Sequence, residues 1–260
     1  MRSFVNIGAI VGAFSLAGAT VALGDEPKPT IVLVHGAFAE SASWNGVIAD
    51  LIHDGFTVIA AANPLRSVSG DAAYVASVIG SVKGPVVLVG HSYAGAVISA
   101  MAGQLSNVRA LVYVAAFEPE IGESSLELTG KFPGSTLGST LAPPVNLPNG
   151  DQDLYIQQDK FHAQFAADLP EADARLMSAA QRPVNQAALA ERAVRAAWKT
   201  IPSWSIYGGS DRNIPPAAMA FMAERAHARK TVVVPGASHL VMVSHPREVA
   251  ALIEDAANAK

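Results

Sequence analysis

The stretch "PVVLVGHSYAGAVISA", residues 85–100, decides the fold. A run of Val and Leu bounded by Pro85 and Gly90 is typical of a buried β-strand. Beyond it, apolar residues recur at the spacing of one helical face: Ala94, Val97, Ile98 and Met101. The sequence therefore predicts a strand, a tight turn at Ser92 and a helix.

Similar short runs rich in Val and Ile recur along the chain. The predicted strands are residues 30–34, 56–60, 86–90, 109–116, 203–208 and 231–236. Segments with helical periodicity separate most of them: residues 44–52, 72–82, 215–228 and 246–257. Continuously apolar strands that alternate with helices indicate a parallel sheet covered on both faces. The predicted fold class is α/β, with a doubly wound, mostly parallel sheet.

Residues 118–200 interrupt this alternation. A Pro-, Gly- and Ser-rich stretch (131–151) is followed by helix-like pieces at 155–167, 171–180 and 186–197. Because a structureless loop of this length is implausible inside a compact domain, we expect an inserted, mainly helical subdomain. Open α/β sheets bind ligands at the carboxyl ends of their strands, which favours a cap over that edge. A merely decorative insertion is the alternative.

Composition narrows the classes of function. The chain has 260 residues, of which 50% are hydrophobic, enough for a full core. Its net charge is −4 and it has no basic run that would neutralise phosphates, so nucleic acid is not an expected partner. The absence of Cys excludes disulfides, thiolate nucleophiles and Cys-ligated zinc.

The N-terminal segment has the pattern of a secretory signal peptide. Arg2 precedes an apolar, Gly- and Ala-rich run that ends in small residues at Ala22 and Gly24. We predict a signal peptide at residues 1–24, a single domain at residues 25–260, and export to the periplasm or the medium of a bacterium. After cleavage no stable membrane anchor would remain. An uncleaved anchor is the alternative, since residues 4–23 are about long enough to span a bilayer.

Residues 90–94, Gly-His-Ser-Tyr-Ala, match the nucleophile elbow G-x-S-x-G with Ala in the last small position. A serine nucleophile needs a base, and the base needs a third group that fixes its tautomer. The order nucleophile, acid, histidine is fulfilled by Ser92, Asp211 and His239, which we predict to be catalytic. In the alternative reading, Ser92 and Asp211 are helix caps, and Glu118 is a rival acid.

Acyl transfer also requires donors for the developing oxyanion. We expect these to be the backbone N–H groups of Tyr93, next to the nucleophile, and of Ala37, after the first strand. Apolar residues near these loops are candidates for the substrate pocket, although each is also compatible with ordinary core: Phe38, Tyr93, Phe117, Phe161, Phe165 and Leu240.

Five motifs together resemble a known family: "LVHGAFAESASW", "VGHSYAGA", "DLPEADARLMSAAQRP", "SDRNIPPAAMAFM" and "PGASHLVMV". They are similar to the α/β-hydrolase superfamily, in particular to plant salicylate-binding methylesterases and hydroxynitrile lyases and to related bacterial esterases. The resemblance covers about residues 30–253. It implies a cofactor-free hydrolase, without a metal, whose helical cap covers an apolar pocket. The predicted leader and the Pro/Gly-rich stretch at 131–151 depart from the family pattern.

We predict a serine carboxylesterase that hydrolyses small, largely apolar esters through an acyl-enzyme. The resemblance to the lyase branch implies a lysine directly after the catalytic histidine. That lysine would stabilise cyanide, which leaves as an anion. Here that residue is Leu240, which favours ester hydrolysis over cyanohydrin cleavage. Hydroxynitrile lyase-like activity, cofactor-free perhydrolase activity and a non-catalytic ligand-binding role remain the alternatives, because a fold does not determine an activity.

Overall fold

The structure, a computed structural model, describes Met1 and residues 28–259. The predicted signal peptide at residues 1–24 thus lies, except for Met1, outside the described residues. Among the helices of the described part, none combines the length and the apolar character that a membrane span requires.

The strands of residues 28–259 form two sheets. In chain order they are β1 (Thr30–Val34), β2 (Val58–Ala61), β3 (Val86–His91), β4 (Val108–Val114), β5 (Val145–Asn146), β6 (Gln152–Leu154), β7 (Val184–Asn185), β8 (Ser203–Gly208) and β9 (Lys230–Val234). The main sheet has the order β2-β1-β3-β4-β8-β9, and all of its neighbouring strands are parallel. This arrangement confirms the predicted α/β class and its parallel sheet.

Helices cover the main sheet. In chain order the α-helices are α1 (Asn45–His53), α2 (Val68–Gly80), α3 (Ala94–Met101), α4 (Ser125–Gly130), α5 (Leu137–Thr140), α6 (Gln158–Phe165), α7 (Glu171–Ala180), α8 (Gln186–Ala190), α9 (Pro216–Arg225), α10 (Val241–Ser244) and α11 (Pro246–Asn258). Short 3-10 helices span Ser41–Trp44, Ala102–Gln104 and Ala197–Lys199. Helix α2 packs against α3, and α1 packs against α11. Strands β1 and β3 are buried along their whole length, as their continuously apolar sequences require.

The segment between β4 and β8 differs from the prediction in one respect. It contains helices α4 to α8, but also a small antiparallel sheet in the order β5-β6-β7. These strands have only two or three residues each, which is too short for a periodic sequence signal. The expectation of a mainly helical insertion is therefore incomplete.

The helix predicted at residues 186–197 ends at Ala190. The next residue, Glu191, turns toward the main domain, where its carboxylate accepts hydrogen bonds from the N–H groups of Val68 (2.6 Å) and Ser69 (3.0 Å). These amides belong to the first turn of α2 and have no partner within their own helix. A negative charge at a helix N-terminus is favourable, so this contact competes with continuation of α8.

Helix α3 lies unusually close to the chain that follows β4. A Cβ atom on Gly95 would lie 2.1 Å from the carbonyl oxygen of Phe117 and 2.9 Å from the Cβ of Ala116. Neither atom is the end of a flexible side chain, so neither could move away without displacing the backbone. Position 95 therefore requires glycine.

We expect Gly95→Ala to destabilise the protein by about 1–3 kcal/mol or more, because the methyl group forces α3 away from the sheet. The midpoint of thermal unfolding should fall by a few degrees per kcal/mol. The matched control is Gly80→Ala at the end of α2, where a Cβ would meet nothing within 4 Å. That variant should retain its stability or gain slightly. Equal unfolding midpoints for the two variants would contradict the packing argument.

Two fully buried histidines lie at the ends of β1 and β3. His35 donates from Nδ1 to the Gly36 carbonyl oxygen (3.0 Å) and accepts at Nε2 from the Asn63 N–H (2.9 Å), which fixes a neutral ring. Burial lowers the pKa of His35 to about 4, and it lowers the pKa of His91 well below its ordinary value. Both rings are therefore neutral in the folded protein over the physiological range.

This burial makes stability dependent on pH. Between pH 6.5 and about 4 the unfolded chain binds a proton at position 35 that the folded protein does not. The contribution of His35 to the free energy of unfolding should therefore be most favourable above pH 6.5 and fall by about 3 kcal/mol as the pH drops to about 4. Urea denaturation across this range measures the slope. The variant His35→Gln lacks the titrating group, and a slope as steep as that of the wild type would contradict the assignment.

Candidate active site

Ser92 occupies a strained turn between β3 and α3. Its φ is 54°, in the left-handed region that residues other than glycine rarely adopt. Its N–H donates to the Val114 carbonyl oxygen (3.1 Å), and its carbonyl oxygen accepts from the N–H groups of Gly95 (2.9 Å) and Phe117 (3.2 Å). These bonds hold the strained turn in place.

The three residues predicted to be catalytic come together in one hydrogen-bonded chain. His239, after β9, lies with its Nε2 atom 2.8 Å from the Oγ of Ser92. Its Nδ1 atom lies 2.6 Å from Oδ2 of Asp211, which follows β8. The exposed fractions of the serine, aspartate and histidine are 7%, 4% and 1%. Such an arrangement can transfer the serine proton to the imidazole while the carboxylate orients the ring.

Asp211 makes the contacts that each of the two roles considered for it requires. Its Oδ1 atom accepts hydrogen bonds from the N–H groups of Asn213 (2.7 Å) and Ile214 (3.1 Å) at the turn before α9. Its Oδ2 atom remains available for His239. The backbone thus fixes the orientation of the carboxylate.

The rival acid, Glu118, lies elsewhere. It is 1% exposed, and its recorded contacts are with Met222, Arg225 and Ser205 rather than with His239. Burial raises the pKa of its carboxyl to about 8, so the group is largely protonated at neutral pH. A neutral carboxylic acid without a bond to the imidazole does not suit the orienting role.

The two predicted oxyanion donors face the same cavity as Ser92. Ala37 and Tyr93 both line it, and within residues 28–259 neither backbone N–H donates a hydrogen bond to the protein. The neighbouring N–H of Phe38 instead donates to the Arg182 carbonyl oxygen (2.9 Å). Gly36 permits this close approach, because a Cβ there would lie 2.7 Å from the Cβ of Ser92.

A cavity of about 700 Å³ opens above these groups. The insertion between β4 and β8 contributes much of its wall, including Leu126, Leu137, Leu141, Leu154 and Leu189. No Asp, Glu, Lys or Arg side chain lines the cavity in the described part of the chain. Sequence reasoning missed these five leucines, because they lie on separate short elements that share no periodic pattern.

Four of the predicted pocket residues line the cavity: Phe38, Tyr93, Phe117 and Phe165. Phe161 and Leu240 do not, and these two predictions are corrected. Phe161 is fully buried against the Phe165 ring, with the centroids 5.0 Å apart. Leu240 is fully buried in the hydrophobic core, although it follows His239 directly in sequence.

The insertion also bonds to three of the loops that carry the site, those after β1, β8 and β9. Gln164 Nε2 donates to the Arg212 carbonyl oxygen (2.9 Å) and to Asn213 Oδ1 (2.6 Å), beside Asp211. The Ser238 hydroxyl, next to His239, donates to the Asp168 carboxylate. The bond from Phe38 to Arg182 ties the loop after β1 in the same way.

The described residues contain no cluster of three or more His, Asp or Glu side chains suited to a metal ion.

Comparison with known proteins agrees with this fold. A hydrolase of Aspergillus novofumigatus, alpha/beta hydrolase nvfD, is 25% identical over 253 residues, covering 88% of this chain and 97% of that protein. A carbendazim hydrolyzing esterase of Nocardioides sp. is 33% identical over 116 residues, covering 38% of this chain and 47% of that protein. The solved structure of polyneuridine aldehyde esterase has a TM-score of 0.75 at 20% identity, covering 88% of this chain and 99% of that chain.

The predicted resemblance to the α/β-hydrolase superfamily is thus confirmed by fold. It is also confirmed by sequence, because residues 31–252 match the family described as the alpha/beta hydrolase family. That match includes the main sheet and the insertion, and the chain belongs to the alpha/beta hydrolase family.

Proposed function

We propose that the protein is a serine carboxylesterase that hydrolyses small, largely apolar esters through an acyl-enzyme intermediate. The observation that supports this most directly is the chain from Ser92 Oγ through His239 to Asp211, with spacings of 2.8 and 2.6 Å, at an apolar cavity. The names of two similar proteins, a carbendazim hydrolyzing esterase and polyneuridine aldehyde esterase, support the same reaction class.

In the first half-reaction, Ser92 Oγ attacks the ester carbonyl carbon while His239 Nε2 accepts the hydroxyl proton. The carbonyl oxygen becomes an oxyanion, and the N–H groups of Ala37 and Tyr93 donate to it. Asp211 stabilises the imidazolium through Nδ1–H. The imidazolium then protonates the leaving alcohol, and the acyl group remains on Ser92.

In the second half-reaction, water replaces the alcohol. His239 removes a proton from the water as it attacks the acyl carbon, the oxyanion forms again, and the imidazolium returns the proton to Ser92 Oγ. The carboxylic acid leaves and the enzyme is restored.

The cavity supports a restriction to uncharged substrates. A volume of about 700 Å³ is typical of pockets for small organic molecules. Moving a charged group into an apolar wall without a partner is costly, and this wall offers no charged side chain as a counter-ion. Leu240, directly after His239, is aliphatic and buried, so it provides no cation for a leaving cyanide. The uncharged wall thus favours a neutral substrate, and Leu240 favours ester hydrolysis over cyanohydrin cleavage.

We expect Ser92→Ala to lower kcat/KM for a chromogenic acetate ester by about 10³-fold or more, because the nucleophile is lost while the oxyanion donors remain. An organophosphonate should label the wild-type protein at Ser92, as peptide mass analysis would detect. If the wild type hydrolyses the ester no faster than Ser92→Ala, the protein is not an esterase of this kind, and a ligand-binding role becomes the better account.

The two candidate acids give a separate prediction. Asp211→Asn should lower kcat by orders of magnitude. An amide does not hold His239 in the tautomer that accepts a proton at Nε2, and it has no negative charge to stabilise the imidazolium. Glu118→Gln is the matched control: it replaces a buried carboxyl that is largely neutral, given its pKa of about 8, with a neutral amide of the same shape. Turnover by Glu118→Gln should stay within a few-fold of the wild type. Equal losses in the two variants would mean that Asp211 is not the acid.

A further inference from the structure

Tyr93 connects the proposed oxyanion site to a buried acidic side chain on another helix. Its backbone N–H has no partner in the described chain and its residue lines the cavity, but its side chain is fully buried. The phenol hydroxyl donates to Oδ2 of Asp71 at 2.9 Å. Asp71, also fully buried, lies in the first turn of α2.

The surroundings of Asp71 fix the position of its carboxylate. Oδ1 accepts from the Arg66 N–H at 3.0 Å, while Oδ2 accepts from Tyr93. A buried carboxylate is tolerated where hydrogen bonds and a helix N-terminus stabilise it. Burial and the adjacent carboxylate raise the pKa of the Tyr93 phenol, which remains a donor. The phenol of Tyr93 is therefore anchored at its far end.

The chain just before Asp71 also holds the loop of the second proposed oxyanion donor. The Asn63 N–H donates to Nε2 of His35, and Asn63 Nδ2 donates to the His35 carbonyl oxygen, both at 2.9 Å. His35 lies two residues before Ala37. Both of these hydrogen bonds are buried, so they hold the chain that leads to the Ala37 N–H.

We propose that the segment of residues 63–71 positions both oxyanion donors, with Asp71 acting through the Tyr93 hydroxyl and Asn63 acting through His35. This inference rests on the proposed esterase function. Donors for an oxyanion must lie within about 0.5 Å of their working position, so an anchor at the far end of Tyr93 affects the rate without touching the substrate. Asp71 and Asn63 are positioning residues, and the donors are the amides.

The first test is Tyr93→Phe, which retains the ring and removes the anchoring bond. Because the oxyanion exists only beyond the ground state, kcat for the chromogenic ester should fall about tenfold while KM stays unchanged. The inhibition constant of a trifluoromethyl ketone, which forms a tetrahedral adduct with Ser92, should rise by a similar factor.

Tyr113→Phe is the matched control. Tyr113 is fully buried, its hydroxyl shares a 2.8 Å hydrogen bond with the buried Ser99, and neither residue lines the cavity. The variant Tyr113→Phe should lose about as much thermal stability as Tyr93→Phe but keep the kcat of the wild type.

Asn63→Ala tests the second donor. It removes the hydrogen bond from Nδ2 to the His35 carbonyl oxygen, keeps the backbone bond to His35 Nε2, and should also lower kcat without changing KM.

The outcomes separate the two proposals. If the wild type does not hydrolyse the ester, the proposed function fails. If the wild type is active but Tyr93→Phe and Asn63→Ala each keep kcat within twofold, the positioning role is wrong. It is equally wrong if Tyr113→Phe loses as much kcat as Tyr93→Phe, because the effect is then a general result of destabilisation.

Discussion

Ser92 can hold a φ of 54° only because three chain segments meet at the end of β3 without side chains between them. Gly36 lets the loop after β1 approach the serine, and Gly95 lets α3 approach the carbonyl oxygen of Phe117. The backbone of Ser92 bonds to Val114 and Phe117 on the neighbouring chain segment and to Gly95 within its own turn. The same closeness brings the amides of Ala37 and Tyr93 to Ser92, so backbone packing determines the geometry of the proposed oxyanion site.

The insertion between β4 and β8 has two roles in this arrangement. It supplies the leucines that make the cavity apolar, and it bonds to the loops carrying the nucleophile's partners through Gln164 and Asp168. A cover that also braces the loops beneath it couples the shape of the pocket to the geometry of the reacting groups. A change in the residues of the insertion would therefore affect both the fit of the substrate and the alignment of His239 and Asp211.

The sequence alone predicted the features that repeat or follow a fixed order. Strands at 30–34 and 203–208 have the predicted bounds, and Ser92, Asp211 and His239 meet as their order suggested. Helix α2 begins at Val68, four residues before the predicted start, because the Ser67 side chain caps it by accepting from the Gly70 N–H. The short cap strands, the five cavity leucines and the burial of Leu240 depend on tertiary contacts, for which one sequence holds no signal.

The order of strands in the main sheet has a consequence for how the protein acquires activity. Strands β1 to β4 form from a continuous first part of the chain, whereas β8 pairs with β4 only after residues 115–202 have been spanned. Ser92 belongs to the first part, whereas Asp211 and His239 lie beyond this long connection. Closing so long a loop has an entropic cost that slows folding, so a chain with only its first four strands in place has the proposed nucleophile without its proposed base. The proposed ester turnover would thus mark completion of the sheet, and a partly folded molecule would be inert.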